Sequence, residues 1–337
     1  MKEAMLYEKL DDKKVKCHLC SHKCLITAEG RGICGVRKNN NGTLYSLVYG
    51  KAIAATPDPI EKKPLFHFLP GTMSFSIATV GCNFRCEFCQ NWSISQEPKG
   101  YEEIVGDELL PNRVIELAEK NNCRSISYTY TEPTIFFEYA YDTSIIAKGK
   151  NLYNVFVTNG FMTDETLDKI DRNLDAANVD LKSFSDSFYR KICGARLDPI
   201  LNSLRKMKRM GMWVEITTLL IPEKNDSEEE LEQIAEFIRS ELGEETPWHI
   251  SRFHPDYKMK NLPSTDTEKI HRAREIGIDT GLRYVYAGNI PGDYGENTYC
   301  YNCGELLIRR FLFSIHENKI ENSRCIKCGA KIDGVGL

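Results

Sequence analysis

Three cysteines on one short segment constrain this chain more than any other feature of its sequence. Cys82, Cys86 and Cys89 are spaced Cys-x3-Cys-x2-Cys within residues 79–92. A cubane iron–sulfur cluster that only carries electrons is normally held by four thiolates. Three local thiolates leave one iron without a protein ligand. That iron is open to a substrate or cofactor, like the open position of a catalytic zinc ion.

This cysteine loop is therefore predicted to hold a [4Fe–4S] cluster with one open coordination position. Soft thiolates favour iron–sulfur clusters over magnesium or calcium. The alternative is a zinc site, which is disfavoured because no histidine or cysteine follows Cys89 at a typical spacing. Phe88, just before the last cysteine, is placed to shield the cluster from water.

The other cysteines also occur mainly in groups. Of the thirteen in the chain, only Cys123 and Cys193 stand alone; we interpret Cys123 as a core residue and Cys193 as a small apolar residue beside Gly194. Residues 1–14 lack the apolar core of a signal peptide, so we expect a cytoplasmic protein. Because that compartment is reducing, metal binding is the default interpretation of grouped cysteines.

Composition excludes two classes of partner. The net charge of −4 gives no basic surface for nucleic acid. No apolar run approaches the ~18 residues needed to span a bilayer, so no membrane association is expected. A length of 337 residues suits one large domain with small appendages.

The middle of the chain alternates between β-rich and helical segments. Strands are predicted at 75–80, 125–130, 153–158, 176–181, 213–220, 248–253 and 282–286. Helices are predicted at 107–121, 134–148, 163–172, 199–209, 227–241 and 265–276. Such alternation indicates βαβ units and a parallel sheet. Six or seven units are too few for a closed eight-unit barrel, so the fold class is predicted to be α/β, a partial, open (β/α)6-type TIM barrel.

Two small modules flank this core. Residues 1–66 form a cysteine-rich N-terminal module, residues 67–295 the barrel, and residues 296–337 a C-terminal module marked by the repeat Cys-x2-Cys-Gly. The C-terminal thiols, Cys300, Cys303, Cys325 and Cys328, suit a zinc ribbon, with rubredoxin-type iron as the alternative. The N-terminal thiols, Cys17, Cys20, Cys24 and Cys34, are enough for a closed zinc site, which is favoured over a second iron–sulfur cluster.

The cysteine loop after a first strand resembles the signature of radical S-adenosylmethionine (SAM) enzymes. In that superfamily SAM chelates the open iron, and reductive cleavage of SAM gives a 5′-deoxyadenosyl radical. Further motifs follow at the ends of later strands, namely TYTEP 129–133, VTNGF 157–161, DLK 180–182 and RFHP 252–255, with KICG 191–194 following DLK. This ordered set resembles the glycyl-radical-enzyme activases, such as the pyruvate formate-lyase activating enzymes.

The resemblance implies a SAM site built from strand ends. It assigns the SAM carboxylate to Lys182 and His254, and the ammonium to Glu132 or nearby backbone, within the segment that includes Thr131. It also places Asn159 and Asp180 in the site, Asp180 on ribose or a cation. A central parallel strand is normally apolar on both faces, so charges at 180 and 182 independently favour a site.

Two positions depart from the activase pattern. Val157 stands where the activases carry an acidic residue, and Glu215 where they carry a basic one. The complete layout is similar to the AmmeMemoRadiSam-system radical SAM proteins, which are activase-like and whose association with two other small proteins is inferred from gene context.

The sequence thus predicts a radical SAM enzyme that abstracts hydrogen from a substrate, such as a glycyl residue of a partner protein. Modification of another macromolecule or small molecule is the alternative within this class. A non-catalytic metal or electron-transfer protein is the alternative outside it. The expected cofactors are a [4Fe–4S] cluster, SAM and zinc, and the expected electron donor is an external ferredoxin or flavodoxin.

Overall fold

The computed structural model describes residues 1–96 and 103–337. The N-terminal module consists of short antiparallel strands, β1 (Lys2–Glu3), β2 (Tyr7–Lys9), β3 (Val15–Cys17), β4 (Leu25–Ile26), β5 (Arg37–Asn40), β6 (Thr43–Ser46) and β7 (Lys51–Ala52). The first six form two three-stranded sheets, ordered β1-β6-β5 and β2-β3-β4. The four N-terminal cysteines lie on or between these strands.

An eight-stranded sheet forms the centre of the molecule. Its strands are β8 (Ala54–Pro59), β9 (Met73–Ala78), β11 (Ser125–Tyr128), β12 (Tyr153–Thr158), β13 (Ala176–Asp180), β14 (Trp213–Leu220), β15 (Trp248–Arg252) and β16 (Val285–Gly288). A separate short strand, β10 (Asp107–Glu108), pairs with β7. The sheet order is β16-β15-β14-β13-β12-β11-β9-β8, with β8 antiparallel to β9 and the other neighbours parallel.

Helices connect these strands and cover the sheet. They are α1 (Trp92–Ser95), α2 (Pro111–Lys120), α3 (Phe137–Gly149), α4 (Asp164–Ile170), α5 (Asp186–Phe188), α6 (Asp198–Arg209), α7 (Glu228–Phe237) and α8 (Thr267–Asp279). None of the helices in the described ranges combines the length and the apolar character needed to cross a lipid bilayer.

The open-barrel prediction is confirmed. Within the described residues, β8 and β16 form the two edges of the sheet and do not pair with each other. The strands predicted at 153–158 and 213–220 have the observed bounds of β12 and β14. The first predicted helix begins later than expected, at Pro111, because residues 107–108 pair with β7 as a strand.

The C-terminal module consists of β17 (Thr298–Tyr299), β18 (Leu306–Phe311), β19 (Ser314–Asn318), β20 (Ile320–Glu321) and β21 (Arg324–Cys325). It packs, together with residues 60–69, against the amino-terminal ends of the barrel strands. Phe66 stacks edge-on against His249 and Tyr286 of two barrel strands, with ring centroids 4.7 and 4.8 Å away. The guanidinium of Arg310, from β18, lies 4.2 Å from the centroid of the Phe66 ring.

Glu215 belongs to this barrel floor and does not line the cavity described below. Its carboxylate accepts hydrogen bonds from the backbone N–H groups of Phe66 and His67, at 3.0 and 2.8 Å. Nε2 of His249 lies 2.6 Å from the same carboxylate. A basic residue could not accept those two backbone donors, which gives a physical reason for the departure at this position. The floor closes the barrel at the end opposite the cysteine loop.

Candidate cluster and cofactor site

A cavity of about 300 Å³ lies at the carboxyl ends of the parallel strands. Parallel α/β sheets place their sites at these ends. The cavity is lined by the cysteine loop, by strand ends and by two lysines that follow β8, namely Lys62, Lys63, Cys82, Phe84, Cys86, Phe88, Cys89, Gln90, Asn91, Ser95, Thr129, Tyr130, Thr131, Glu132, Val157, Thr158, Asn159, Asp180, Lys182, Thr217, Leu219, Ser251 and Asn289. Every predicted cluster and SAM residue except His254 is in this set.

Backbone hydrogen bonds hold the cysteine loop in place. The N–H of Arg85 donates to the carbonyl of Cys193 at 2.8 Å, and the N–H of Glu87 donates to the carbonyl of Ile192 at 3.1 Å. The backbone N–H of Phe84 donates to Sγ of Cys82 at 3.4 Å. These contacts fix the loop from outside the cavity while its three thiols line the cavity wall.

The donor set fits an iron–sulfur cluster with one open position. Three soft thiols share one wall, and the loop supplies no fourth thiol among residues 79–92. Nδ2 of Asn83, beside Cys82, is fully buried and has no hydrogen-bond partner within the protein. Cluster sulfurs accept hydrogen bonds from such N–H groups, so this nitrogen is suited to a cluster sulfur.

Cys193 is closer to the loop than the sequence indicated. Its thiol is fully buried and hydrogen-bonds with the thiol of Cys86. That hydrogen bond, together with burial, raises the pKa of Cys86 well above its ordinary value. Cys193 is thus a packing partner of a cluster cysteine, but it does not line the cavity.

Glu132 clamps two neighbouring strand ends. Its Oε1 accepts hydrogen bonds from the N–H and the hydroxyl of Thr134, at 3.0 and 2.5 Å, and from the hydroxyl of Thr158 at 2.7 Å. Its Oε2 accepts from the N–H of Asn159 at 2.8 Å. Burial raises the pKa of this carboxyl. Both oxygens are therefore engaged by the protein itself.

The segment before Glu132 contains a tight, strained turn. The N–H of Thr131 donates to the carbonyl of Thr129 at 2.8 Å, across Tyr130, whose φ is +63°. A three-residue turn with positive φ at a bulky residue is rare and strained, and such strain is found at functional sites. The Thr131 hydroxyl also donates to the carbonyl of Thr79 at 2.7 Å, which ties this turn to the cysteine loop.

Lys182 and Asp180 form an ion pair in the cavity wall, with Nζ 2.7 Å from Oδ2. Burial opposes the charge on Lys182, but the carboxylate of Asp180 and the thiols of Cys86 and Cys193 outweigh it and raise the lysine pKa. Nζ also lies 5.7 Å from the centroid of the Phe88 ring. Lys182 is therefore held as an ammonium next to the cysteine loop, paired with the carboxylate of Asp180.

A second charged group in the cavity was not predicted from the sequence. Lys62 and Lys63 each place Nζ 2.8 Å from a different oxygen of Asp58. The hydroxyl of Tyr130 donates to the same carboxylate at 2.5 Å. Burial lowers the pKa of Lys63 to about 8. The sequence signal that could have indicated these lysines is the run EKK at 61–63.

The remaining predicted residues are divided between the cavity and the surface. Asn159 is buried in the wall, and its Nδ2 donates to Oδ1 of Asn83 at 2.8 Å, which joins the third strand end to the cysteine loop. His254 is exposed, outside the cavity lining, and its Nδ1 lies 3.3 Å from the hydroxyl of Ser264. The structure thus gathers the cluster and SAM residues but does not bring His254 to them.

The C-terminal cysteines form a potential metal site. The four Sγ atoms of Cys300, Cys303, Cys325 and Cys328 all lie within 4.8 Å of one another. Sγ of Cys300 is 3.6 Å from that of Cys328, and Sγ of Cys303 is 3.8 Å from that of Cys325. A tetrahedral ion with bonds of about 2.3 Å holds its sulfurs about 3.8 Å apart, so this geometry fits a single ion. A hydrogen bond from Asn302 lowers the pKa of Cys328 to about 6.

The N-terminal cysteines surround a different kind of space. Cys17, Cys20, Cys24 and Cys34 line one small cavity together with apolar side chains and Arg37. The guanidinium of Arg37 is buried and makes two 2.8 Å hydrogen bonds to the carboxylate of Glu138. Among the described residues, the C-terminal cysteines are the group in which at least three ligand atoms all lie within 4.8 Å of one another. The N-terminal thiols do not meet this criterion and are therefore more widely spaced.

Fold and site together define a class: an open β/α barrel with a three-thiol loop at the carboxyl ends of its strands. Residues 76–238 match the family model of the Radical SAM superfamily. An uncharacterized protein of Methanocaldococcus jannaschii is 51% identical over 335 residues, 99% of each chain. Residues 76–238 therefore form a Radical SAM domain, and this fold implies a [4Fe–4S] cluster and SAM.

More distant proteins are similar over the barrel. The pyruvate formate-lyase-activating enzyme of Clostridium pasteurianum is 23% identical over 204 residues, 56% of this chain and 83% of that enzyme. The crystal structure of Streptococcus suis SuiB bound to S-adenosylmethionine aligns with a TM-score of 0.52 at 14% identity, over 68% of this chain and 53% of SuiB. At that identity the likeness shows the fold alone. The AmmeMemoRadiSam assignment stays a prediction.

Proposed function

We propose that this protein is a SAM-cleaving enzyme in which Cys82, Cys86 and Cys89 hold the cluster. The observation that carries the proposal is the placement of these three thiols on one wall of a cavity that also contains the Asp180–Lys182 ion pair. When bound, the cluster and SAM supply a 5′-deoxyadenosyl radical that abstracts hydrogen from a substrate, after one electron from a donor such as ferredoxin or flavodoxin.

Lys182 binds the SAM carboxylate in this proposal. Its ammonium has three donors, and within the described contacts one of them is used by Asp180. Asp180 holds that ammonium in position and also faces the cavity, where it can accept a hydrogen bond from a ribose hydroxyl. The positive charge persists at neutral pH, because the pKa of Lys182 is raised.

Glu132 acts as a positioning residue. Because four donors already occupy its carboxylate, the backbone around Thr131 is the better candidate for contact with the SAM ammonium. The clamp on Thr134, Thr158 and Asn159 fixes the orientation of that backbone. Phe84 and Phe88, both buried beside the thiols, exclude water from the cluster side.

The first candidate substrate is a glycyl residue of a partner protein. Support comes from the relation to the pyruvate formate-lyase-activating enzyme and from the shared order of strand-end motifs. The test is to incubate the reduced enzyme and SAM with a candidate partner and to record an electron paramagnetic resonance (EPR) spectrum. A glycyl doublet supports this subclass, and SAM cleavage with every partner but no doublet argues against it.

The second candidate substrate is a molecule with an anionic group, favoured by the two lysines on Asp58. Two ammonium groups share one carboxylate, so this wall carries a net positive charge. Lys63 is only 1% exposed and shares Asp58 with Lys62, so an anion in the cavity would supply the second negative charge that this pair of lysines lacks. We expect inorganic phosphate to bind the wild type and to bind Lys63→Met at least about tenfold more weakly. The exposed substitution Lys120→Met is the control, and equal phosphate binding by all three proteins would count against this substrate class.

The enzyme assignment is tested by SAM cleavage. Anaerobically reconstituted, reduced protein is expected to convert SAM to methionine and 5′-deoxyadenosine, and Cys86→Ala is expected to abolish this conversion. Cys123→Ala, which removes a buried thiol outside the cavity, serves as the matched control. Undiminished cleavage by Cys86→Ala would refute the proposal. A metal or electron-transfer protein without catalysis would neither bind nor cleave SAM.

For the C-terminal cysteines we propose a structural zinc ion. Sulfur spacings of 3.6 and 3.8 Å support a four-thiolate site that is closed to substrate. Zinc and iron measured per chain distinguish this site from a rubredoxin-type iron. Loss of one equivalent of zinc in Cys303→Ser supports zinc, whereas loss of one equivalent of iron supports the alternative.

A further inference from the structure

We propose that the N-terminal cysteines, Cys17, Cys20, Cys24 and Cys34, bind a second iron–sulfur cluster that passes electrons to the cysteine loop of the barrel. This inference rests on the proposed SAM chemistry for its purpose, but not for its evidence. It also reverses the preference for zinc that the sequence alone gave.

The spacing of the thiols separates the two kinds of site. Four thiolates on one zinc ion must lie about 3.8 Å apart, whereas thiolates on different irons of a cluster are separated by the width of the cluster. The C-terminal four meet the zinc condition. In the described residues, neither the N-terminal four nor Cys82, Cys86 and Cys89 meet it. The N-terminal four thus lack the close spacing of a single-ion site, and they line one cavity that a larger group with several metal atoms can occupy.

Backbone N–H groups approach three of these thiols. Cys20, Cys24 and Cys34 receive backbone hydrogen bonds from His22, Ile33 and Val36, respectively. N–H groups directed at sulfur stabilise thiolates bound to a metal or a cluster. Because four cysteines are present, each iron of a cubane would have a protein ligand, which is the arrangement of a cluster that only carries electrons.

The two cysteine regions are in direct contact. Nε2 of His22 lies 2.8 Å from the carbonyl oxygen of Asn83, inside the barrel loop. Gly81, next to Cys82, packs so closely that an added Cβ would lie 2.7 Å from Val36 and 3.0 Å from the carbonyl oxygen of Cys34. Its φ is +101°, a conformation that favours glycine. A substituted side chain at 81 would separate the two loops.

The module is also fixed to the barrel on its other side. The N–H and the hydroxyl of Ser21 donate to the carbonyls of Phe161 and Met162, at 3.1 and 3.0 Å. The ring of Phe161 stacks between those of His22 and Phe84, with centroids 4.8 and 5.4 Å away. A continuous series of contacts therefore joins the segment that carries Cys20 and Cys24 to the cluster loop.

The electron balance of the relay is simple. An external low-potential one-electron donor reduces the N-terminal cluster by one electron. That cluster is oxidised again when the same electron moves to the barrel cluster, so it undergoes no net change. Cys24 is only partly buried, and its neighbour Leu25 is 63% exposed, which gives a donor access to this end of the path.

The test compares three forms of the full-length protein purified and reconstituted without oxygen. The first is wild type, the second lacks the barrel thiols (Cys82→Ala, Cys86→Ala and Cys89→Ala), and the third carries Cys20→Ser and Cys24→Ser. We expect about eight irons in wild type and about four in each variant. Each variant should give its own reduced EPR signal. Circular dichroism of each variant verifies that the fold is kept. The exposed substitution Ser240→Ala is the control for purification and reconstitution, and it should keep the iron content of wild type.

Two outcomes would overturn the proposal. If the variant without barrel thiols contains no iron and an additional zinc, the N-terminal site is a zinc site. If reduced wild type gives the simple sum of the two variants' spectra, without spin–spin broadening, the clusters are not close enough for a relay. Both readouts are independent of SAM cleavage, so a failure of the proposed enzymatic function would be recognised separately.

Discussion

The carboxylate of Glu132 accepts a hydrogen bond from the backbone N–H of Asn159 at 2.8 Å, so the ends of two neighbouring barrel strands are held by one buried side chain. The other partners of this carboxylate are Thr134 and Thr158. All of them are donors, and the side chain of Glu132 is only 2% exposed. An acceptor with two oxygens is therefore required at this position.

The first prediction concerns Glu132→Gln. One oxygen is replaced by an amide nitrogen that must face donors, so at least one buried donor loses its acceptor. We expect the free energy of unfolding to fall by about 1–3 kcal/mol, measured by chemical denaturation. Glu116→Gln, at an exposed pair with Arg113, is the control and should change it by less than about 0.5 kcal/mol. An unchanged unfolding midpoint for Glu132→Gln would show that the clamp is unimportant.

The second prediction compares Lys182 with His254. Lys182→Met removes a buried ammonium from the cavity, and we expect the affinity for SAM to fall at least about tenfold. Because His254 lies outside the cavity, His254→Ala should weaken SAM binding by less than about threefold.

Equilibrium binding of SAM to the reconstituted proteins measures both effects, with the exposed substitution Lys191→Met as a control for the loss of a lysine. A large loss for His254→Ala would support the role that the resemblance implied and would require this histidine to move toward the cavity.

Local patterns in the sequence predicted most of the barrel. Strands such as Tyr153–Thr158 and Trp213–Leu220 are runs of β-branched and aromatic residues, and their bounds matched. The motif order also predicted that Asp180, Lys182 and Asn159 lie near one another, and all three line the cavity, because strand ends of a parallel sheet meet at one edge. These features depend on local sequence and on a common topology.

Features that depend on long-range packing were not predicted. Lys62 and Lys63 belong to none of the motifs found in the sequence, and they follow β8 at the amino-terminal end of β9, yet both line the cavity. Glu215 was identified only as a departure from the activase pattern, and its contacts with the backbone N–H groups of residues 66 and 67 on the barrel floor were not predicted. No periodicity or motif could indicate contacts made across 148 or more residues of sequence.

The third prediction is a pH dependence of stability that arises from His67. Burial lowers the pKa of His67 to about 4. Its Nδ1 lies 2.6 Å from the carbonyl oxygen of Asp333, which can only accept, so the neutral ring donates there and Nε2 accepts from the Tyr286 hydroxyl. In the unfolded chain the histidine pKa is about 6.5.

Between these two values the unfolded state binds more protons than the folded state, so stability falls as the pH is lowered from about 6.5 to about 4. The loss from this group is on the order of 3 kcal/mol. Over this pH range the free energy of unfolding should fall more steeply in wild type than in His67→Asn, because the variant lacks the titrating group. Denaturation curves recorded at each pH measure this difference. His316→Asn, at an exposed site, should follow wild type. An equal pH dependence of the free energy of unfolding in wild type and His67→Asn would contradict the role assigned to His67.

The fourth prediction concerns Cys193, whose thiol hydrogen-bonds with that of Cys86. Since its side chain does not line the cavity, it is not expected to occupy the open iron of the barrel cluster. Cys193→Ala should keep the iron content and the SAM-induced change in the EPR spectrum, whereas Cys86→Ala should lose about four irons. The backbone carbonyl of Cys193, which accepts the N–H of Arg85, is retained in the alanine variant, so the loop stays anchored. A loss of iron or of the SAM response in Cys193→Ala would identify this thiol as a fourth ligand, and the open coordination position on which the proposed chemistry depends would not exist.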